Sequence, residues 1–181
     1  MTERQTIERA DLAQVRQELL DAALLRGDFV LSSGARSDYY LDKYRFQTRP
    51  ALLRSLAERL ADLVPPGVER LAGTELGAVA LATAVSLQTG LPFVIVRKVE
   101  KEYSTARLIE GELVPGEAVL VLEDVITTGA QSIKAADRVV AAGGKVIGIL
   151  AVVDRQEGGA AKIAQAGYTL TSLFTRADLG I

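Results

Sequence analysis

Apolar residues first recur at helical spacing near the N-terminus, where Leu12, Val15, Leu19, Ala22 and Ala23 fall on one face of a helix expected to end near Gly27. The next stretch, 29–43 (FVLSSGARSDYYLDK), alternates irregularly around a Ser-Ser-Gly turn and an aromatic cluster, which predicts a short hairpin or hood-like element. Pro50 opens a second helix with Leu52, Leu53, Leu56, Leu60 and Leu63 as its buried stripe, and Pro65 and Pro66 stop it. From there the pattern becomes regular. Apolar runs predict strands at 68–72, 93–96, 118–122, 145–153 and 168–173, and helices are predicted at 77–88, 132–142 and 159–166. The expected fold class is α/β: a doubly wound, mostly parallel sheet flanked by helices, with a small N-terminal hood. One domain over 1–181 is expected, with helix and hood at about 8–46 and the α/β core at about 50–175.

Ligands of open α/β sheets bind beyond the carboxyl ends of the strands. Four successive strand ends carry polar loops here: Gly73-Thr74-Glu75-Leu76-Gly77, then Arg97-Lys98, then 123–131, then Asp154-Arg155. Such loops would converge on one rim.

The richest of them closes the stretch 118–131, AVLVLEDVITTGAQ. Residues 118–122 are an unbroken apolar run, as in a strand covered on both faces. Glu123 and Asp124 follow, then Thr127, Thr128, Gly129, Ala130 and Gln131 lead into helical spacing. A turn of Thr and Gly opening a helix presents N–H groups and hydroxyls to an anion. The adjacent carboxylates would repel phosphate but accept hydrogen bonds from sugar hydroxyls. That combination suits a ribose 5-phosphate; a strand, an Asp and a Gly turn with no ligand is the plainer alternative. Neither G-x-x-x-x-G-K-[ST] nor G-x-G-x-x-G occurs, which counts against nucleoside triphosphate and dinucleotide folds of those kinds. By themselves, 73–77 fit a simple β-to-α turn as well as an anion cradle. The 97–111 segment (RKVEKEYSTARLIEG) fits a solvated charged loop as well as a basic lid.

Composition narrows the chemistry. The formal charge of −2 offers no general footprint for nucleic acid, and the longest apolar stretch, 146–153, is too short to span a bilayer. The polar start is not a signal peptide, so a cytoplasmic setting is expected. There is neither His nor Cys. Any chemistry must run on Lys, Arg, Asp, Glu, Tyr and hydroxyls.

The full string at 118–131 resembles the phosphoribosyl diphosphate (PRPP) motif of the type I phosphoribosyltransferases: an apolar strand, an acidic pair, two apolar residues and T-T-G. The resemblance implies that Glu123, Asp124, Val125, Ile126, Thr127, Thr128, Gly129, Ala130 and Gln131 bind PRPP, with the acids on the ribose diol. It also implies that Gly73, Thr74, Glu75 and Leu76 cradle pyrophosphate, Leu76 standing where some orotate enzymes have Lys. The 97–101 run is similar to the R-K-x-x-K loops of orotate phosphoribosyltransferases, which reach into a neighbouring subunit's site. It implies PRPP contacts from Arg97, Lys98, Lys101 and Tyr103, the last at a place where many relatives have His. Residues 29–42 resemble the F-x-L-x-S-G-x-x-S-x-Y-x-D element that covers the base in that family. From it follow orotate contacts by Ser33, Gly34, Tyr40, Leu41 and nearby Lys43, joined by Thr127 and by Arg155 as a carboxylate grip. A structural salt bridge is the alternative for Arg155.

The implied reaction is orotate plus PRPP giving orotidine 5′-monophosphate and pyrophosphate, the step that forms the pyrimidine nucleotide. Lys101, Arg97, Lys98 and Asp124 are its implied catalytic residues, Mg²⁺ arrives bound to PRPP with no protein metal ligand, and the protein is a homodimer sharing its sites. Neither nucleic acid nor membrane is an expected partner. A purine or uracil phosphoribosyltransferase would share 118–131 but lack the 29–42 element. A non-catalytic PRPP sensor would want an added nucleic-acid-binding segment.

Overall fold

A computed structural model describes residues 11–30, 36–98 and 108–181. Helix α1 (Leu12–Ala23) buries Val15, Leu19, Ala22 and Ala23. It ends at Ala23 rather than near Gly27, because Leu24 enters β1 (Leu24–Val30) at once and pairs with Leu41 of β2 (Arg36–Leu41). This antiparallel hairpin is the expected hood. A short helix that the apolar pattern does not predict, α2 (Lys43–Gln47), follows it, with Asp42 Oδ1 accepting from the Tyr44 N–H at 3.1 Å. Helix α3 (Pro50–Asp62) starts at the expected proline and buries Leu52, Leu56, Ala57 and Leu60.

The core elements are β3 (Arg70–Thr74), α4 (Val79–Thr89), β4 (Phe93–Val96), β5 (Ile109–Glu110), β6 (Ala118–Ile126), α5 (Ala130–Ala141), β7 (Lys145–Asp154), α6 (Gly159–Gln165), β8 (Leu170–Thr175) and α7 (Arg176–Leu179). The six-stranded sheet has the order β5-β4-β3-β6-β7-β8, parallel except for the β4–β5 pair at one edge. Mostly parallel, doubly wound topology is therefore what the chain adopts.

Strand alternation divides the interior into two layers. Leu71, Leu120, Leu122, Leu150 and Val152 pack with α1, α3 and α4, whereas Ala72, Val119, Val121, Ile149 and Ala151 pack with α5 and α6. Chain order reverses between β3 and β6, which are neighbours although β4 and β5 lie between them in sequence. Ligand sites form at such switch points.

Several boundaries differ from the pattern. Strand β6 runs on to Ile126 instead of ending at Leu122, so Glu123 and Asp124 are strand residues. The ladder to β7 continues through them, pairing Glu123 with Ala151 and Ile126 with Asp154. Strands β3 and β8 begin at Arg70 and Leu170, two residues later than the apolar runs at 68 and 168 suggest, and β8 runs on to Thr175. The two-residue β5 and the four-residue α7 are too short for any period to mark.

Candidate active site

A cleft of about 670 Å³ opens at the carboxyl ends of β3, β6 and β7. Its centre is the acidic pair. Because β6 continues through them, the two side chains point to opposite faces, and each meets a different set of partners.

Glu123 faces the α5 layer and is 7% exposed. Thr74 donates its hydroxyl to Oε1 at 2.7 Å and Ser132 donates to Oε2 at 3.1 Å. Burial and the neighbouring Asp124 charge push its pKa up to about 7, against the opposing pull of the Thr74 hydrogen bond and the Lys43 charge. Asp124, 1% exposed, faces the hood layer. Its Oδ2 accepts from Lys43 Nζ at 2.8 Å and from Gln47 Nε2 at 3.4 Å. Burial works against the Lys43 ammonium, but the Asp124 charge and hydrogen bond outweigh it and hold the pKa above its ordinary value. Gly77 makes this contact possible, since a Cβ there would collide with Asp124 Oδ2.

Beyond β6, Thr127 to Gln131 form the turn into α5, and all five line the cleft. Gly129 is the N-cap at φ +74°, a left-handed geometry with a would-be Cβ 3.1 Å from the Gly159 carbonyl oxygen. Free N–H groups at the start of this helix point where an anion is stabilised. Val125 and Ile126 also line the cleft.

On the other side of the switch point, Thr74 and Glu75 line the cleft, while Gly73 is buried in β3 and Leu76 is 63% exposed. The Glu75–Leu76 peptide is cis. Lys98 lines the cleft and its N–H donates to Glu75 Oε2 at 2.9 Å. Arg97 is turned to carboxylates instead, with Nη1 3.4 Å from Glu110 and Nε 3.9 Å from Glu75.

On the hood side, Tyr40, Leu41, Lys43 and Arg155 all line the cleft. Tyr40 packs on Phe29, ring centroids 5.7 Å apart. Arg155 is 7% exposed, stands 5.3 Å over the Tyr39 ring and bonds Glu157 at 2.7 Å. Lys43, expected among the orotate contacts, is engaged by Asp124. Ser33, Gly34, Lys101 and Tyr103 lie outside the described residues.

Several cleft residues belong to none of the motifs in the sequence. Ser132 lies in the first turn of α5 on the strand side; behind the cleft, Gln47 of the unforeseen α2 donates to Asp124. Arg138 donates to the Arg97 carbonyl at 2.5 Å and the Lys98 carbonyl at 2.9 Å, fastening the start of the basic segment to α5. Among these, only Ser132 had an available signal: four residues beyond Thr128, it falls on the helix face that meets the sheet.

Residues 51–171 match the phosphoribosyl transferase domain family. An orotate phosphoribosyltransferase of Methanocella arvoryzae is 46% identical over 84% of this chain and 87% of its own length. A crystal structure of Mycobacterium tuberculosis orotate phosphoribosyltransferase with Fe(III) dicitrate superposes with a TM-score of 0.85 at 34% identity, covering 95% of this chain and all of that one. The same enzyme crystallised with PRPP gives 0.81 at 32% identity, with 95% and 100% covered. A switch-point cleft with this acid pair and helix N-terminus, matched along nearly the whole chain by such relatives, places the protein in the phosphoribosyltransferase family, among the orotate phosphoribosyltransferases.

Proposed function

We propose that the cleft transfers the 5-phosphoribosyl group of PRPP to orotate, releasing pyrophosphate and forming orotidine 5′-monophosphate for pyrimidine nucleotide synthesis. One observation carries the reading. A helix N-terminus, two buried acids and a buried guanidinium surround a single volume of about 670 Å³, so groups suited to a phosphate, a ribose diol and a carboxylated base share one space.

In this mechanism the 5-phosphate sits on the turn from Thr127 to Gln131, where N–H groups and the helix dipole favour its charge. The ribose hydroxyls lie on Glu123 and Asp124. Residues 73–76 take the pyrophosphate through backbone groups; Thr74's hydroxyl is already engaged by Glu123. Orotate lies under the hood against Tyr40 and Leu41, near Thr127 and Lys43, with its carboxylate on Arg155 and with Ser33 and Gly34 as further contacts implied by the resemblance. The base nitrogen attacks the anomeric carbon as pyrophosphate departs, through a transition state with oxocarbenium character. The acids stabilise positive charge on the sugar; Arg97, Lys98 and Lys101, assisted by Tyr103, neutralise the leaving group. Arg97 would exchange its glutamate contacts for pyrophosphate. Alignment and charge provide the catalysis, and no protein atom forms a bond to substrate.

Among the described residues no cluster of three acidic ligands could cage a metal. Mg²⁺ would enter on PRPP oxygens and water, where it would neutralise the pyrophosphate. A homodimer that shares its sites follows from the likeness of 97–101 to loops that cross a subunit boundary. Among the described residues no helix is long and apolar enough to cross a membrane, and the reaction is assigned to the cytoplasm.

The test is pyrophosphate release from PRPP and Mg²⁺ with a panel of bases. Orotate is expected to turn over far faster than uracil, adenine or xanthine. Turnover with adenine or xanthine and none with orotate would remove the assignment.

A further inference from the structure

The proposed function gives Arg155 the carboxylate of orotate, and the role of Glu157 rests on that reading. Within the chain, the same guanidinium already holds a carboxylate. Arg155 Nη2 lies 2.7 Å from Glu157 Oε1 and donates to the Tyr39 hydroxyl at 3.4 Å, while Nε is buried without a partner. The two side chains differ in freedom: that of Arg155 is 9% exposed and that of Glu157 33%. The cation is held against the Tyr39 ring, and the acid has a route to solvent.

Backbone geometry builds this contact. Gln156 adopts φ +56°, a left-handed conformation uncommon for residues other than glycine. Its N–H donates to Asp154 Oδ1 at 2.8 Å, and its side-chain oxygen accepts from the Ala177 N–H at 3.1 Å. The turn is thus pinned at the end of β7 and again at α7, and it returns Glu157 toward the side chain two residues before it. Arg155 and Glu157 both line the cleft.

We propose that Glu157 is an internal competitor for the substrate's carboxylate: it pairs Arg155 until orotate arrives and is then exchanged for it. A buried guanidinium left without an anion is strongly unfavourable, so the internal pair keeps the cation satisfied before substrate binds. Two carboxylates on one guanidinium repel, and the one with access to water is the one that leaves. Glu157 acts through Arg155 as a positioning residue, and its presence weakens orotate binding. A base without a carboxylate leaves the pair in place and is indifferent to it.

The test compares Glu157→Gln, Arg155→Gln and the unaltered enzyme, with orotate as substrate and uracil as substrate or competitive inhibitor. Gln keeps an acceptor beside Arg155 and removes only the charge. Glu157→Gln is expected to lower the KM for orotate about five-fold, the size of a partly exposed ion pair. The kcat, the KM for PRPP and the uracil constant should stay within about two-fold, because none of them involves the exchanged carboxylate. Glu157→Asp, which reaches Arg155 less well, should shift the orotate KM in the same direction by less. An orotate KM that is unchanged or raised in Glu157→Gln overturns the exchange. Arg155→Gln separates the two ideas. If it abolishes the preference for orotate over uracil while Glu157→Gln fails to lower the KM, the exchange alone is wrong. If Arg155→Gln leaves that preference intact, the carboxylate assignment of Arg155 falls and the exchange falls with it.

Discussion

Glu123 and Asp124 are neighbours in one strand, yet their side chains face opposite sides of the sheet. Glu123 faces α5, meets the hydroxyls of Thr74 and Ser132, and has a pKa raised to about 7. Asp124 faces the hood and is held by the Lys43 ammonium. The difference comes from strand alternation continuing two residues past the apolar run. It teaches that two adjacent acids can take different charge roles: Asp124 carries a counter-ion from another element, and its charge together with burial lets Glu123 change charge near neutrality.

The largest effect expected from breaking this asymmetry is on the Asp124 side. Lys43→Met leaves a carboxylate that is 1% exposed without its cation, which should destabilise the fold by about 3 kcal/mol in denaturant unfolding. Adding Asp124→Asn to Lys43→Met should recover most of that loss. A double variant as unstable as the single one would mean that the ion pair is not the cause.

On the Glu123 side, the effect is set by pH. Its folded pKa of about 7 stands above the ordinary value near 4.3, so the folded state keeps a proton that the unfolded chain releases between those values. Stability should therefore fall as pH rises from about 4.5 to about 7, by roughly 3 kcal/mol relative to Glu123→Gln. Parallel stability curves for the two proteins over that window would contradict the burial of this acid.

The smallest effect belongs to the hydroxyls. Ser132→Ala removes one donor from Glu123 and should cost about 1 kcal/mol, more above pH 7 than below it, because the ionised acid needs the donor most. Equal loss at pH 5 and pH 8 would place the effect in packing instead.

Much of this arrangement was legible in the sequence. The apolar run before Glu123 and the Thr-Thr-Gly turn after Asp124 located the cleft, and the regular alternation beyond Pro66 gave the sheet its class. Boundaries were harder. Strand β6 extends through its acids because its ladder to β7 goes on pairing, and no local preference marks that. Helix α2 is a five-residue element whose one local signal is the Asp42 cap. Contacts across layers were the least legible: Lys43 and Asp124 are remote in sequence, and Gly77 is needed only because Asp124 packs against it. Such dependencies arise from the packing of separate elements and leave no period in the chain.

The separation of the two acids is tested most directly by the pH dependence of orotate turnover in the unaltered enzyme, Glu123→Gln and Asp124→Asn. An ionised Glu123 stabilises a cationic sugar and a neutral one does not, so kcat of the unaltered enzyme should rise through about pH 7. Asp124→Asn should turn over about 100-fold more slowly and still show a rise, moved to lower pH because the Asp124 charge no longer holds the Glu123 pKa up. Glu123→Gln should show a flat profile across the same range. A rise that persists in Glu123→Gln, or that disappears in Asp124→Asn, would contradict the division between them.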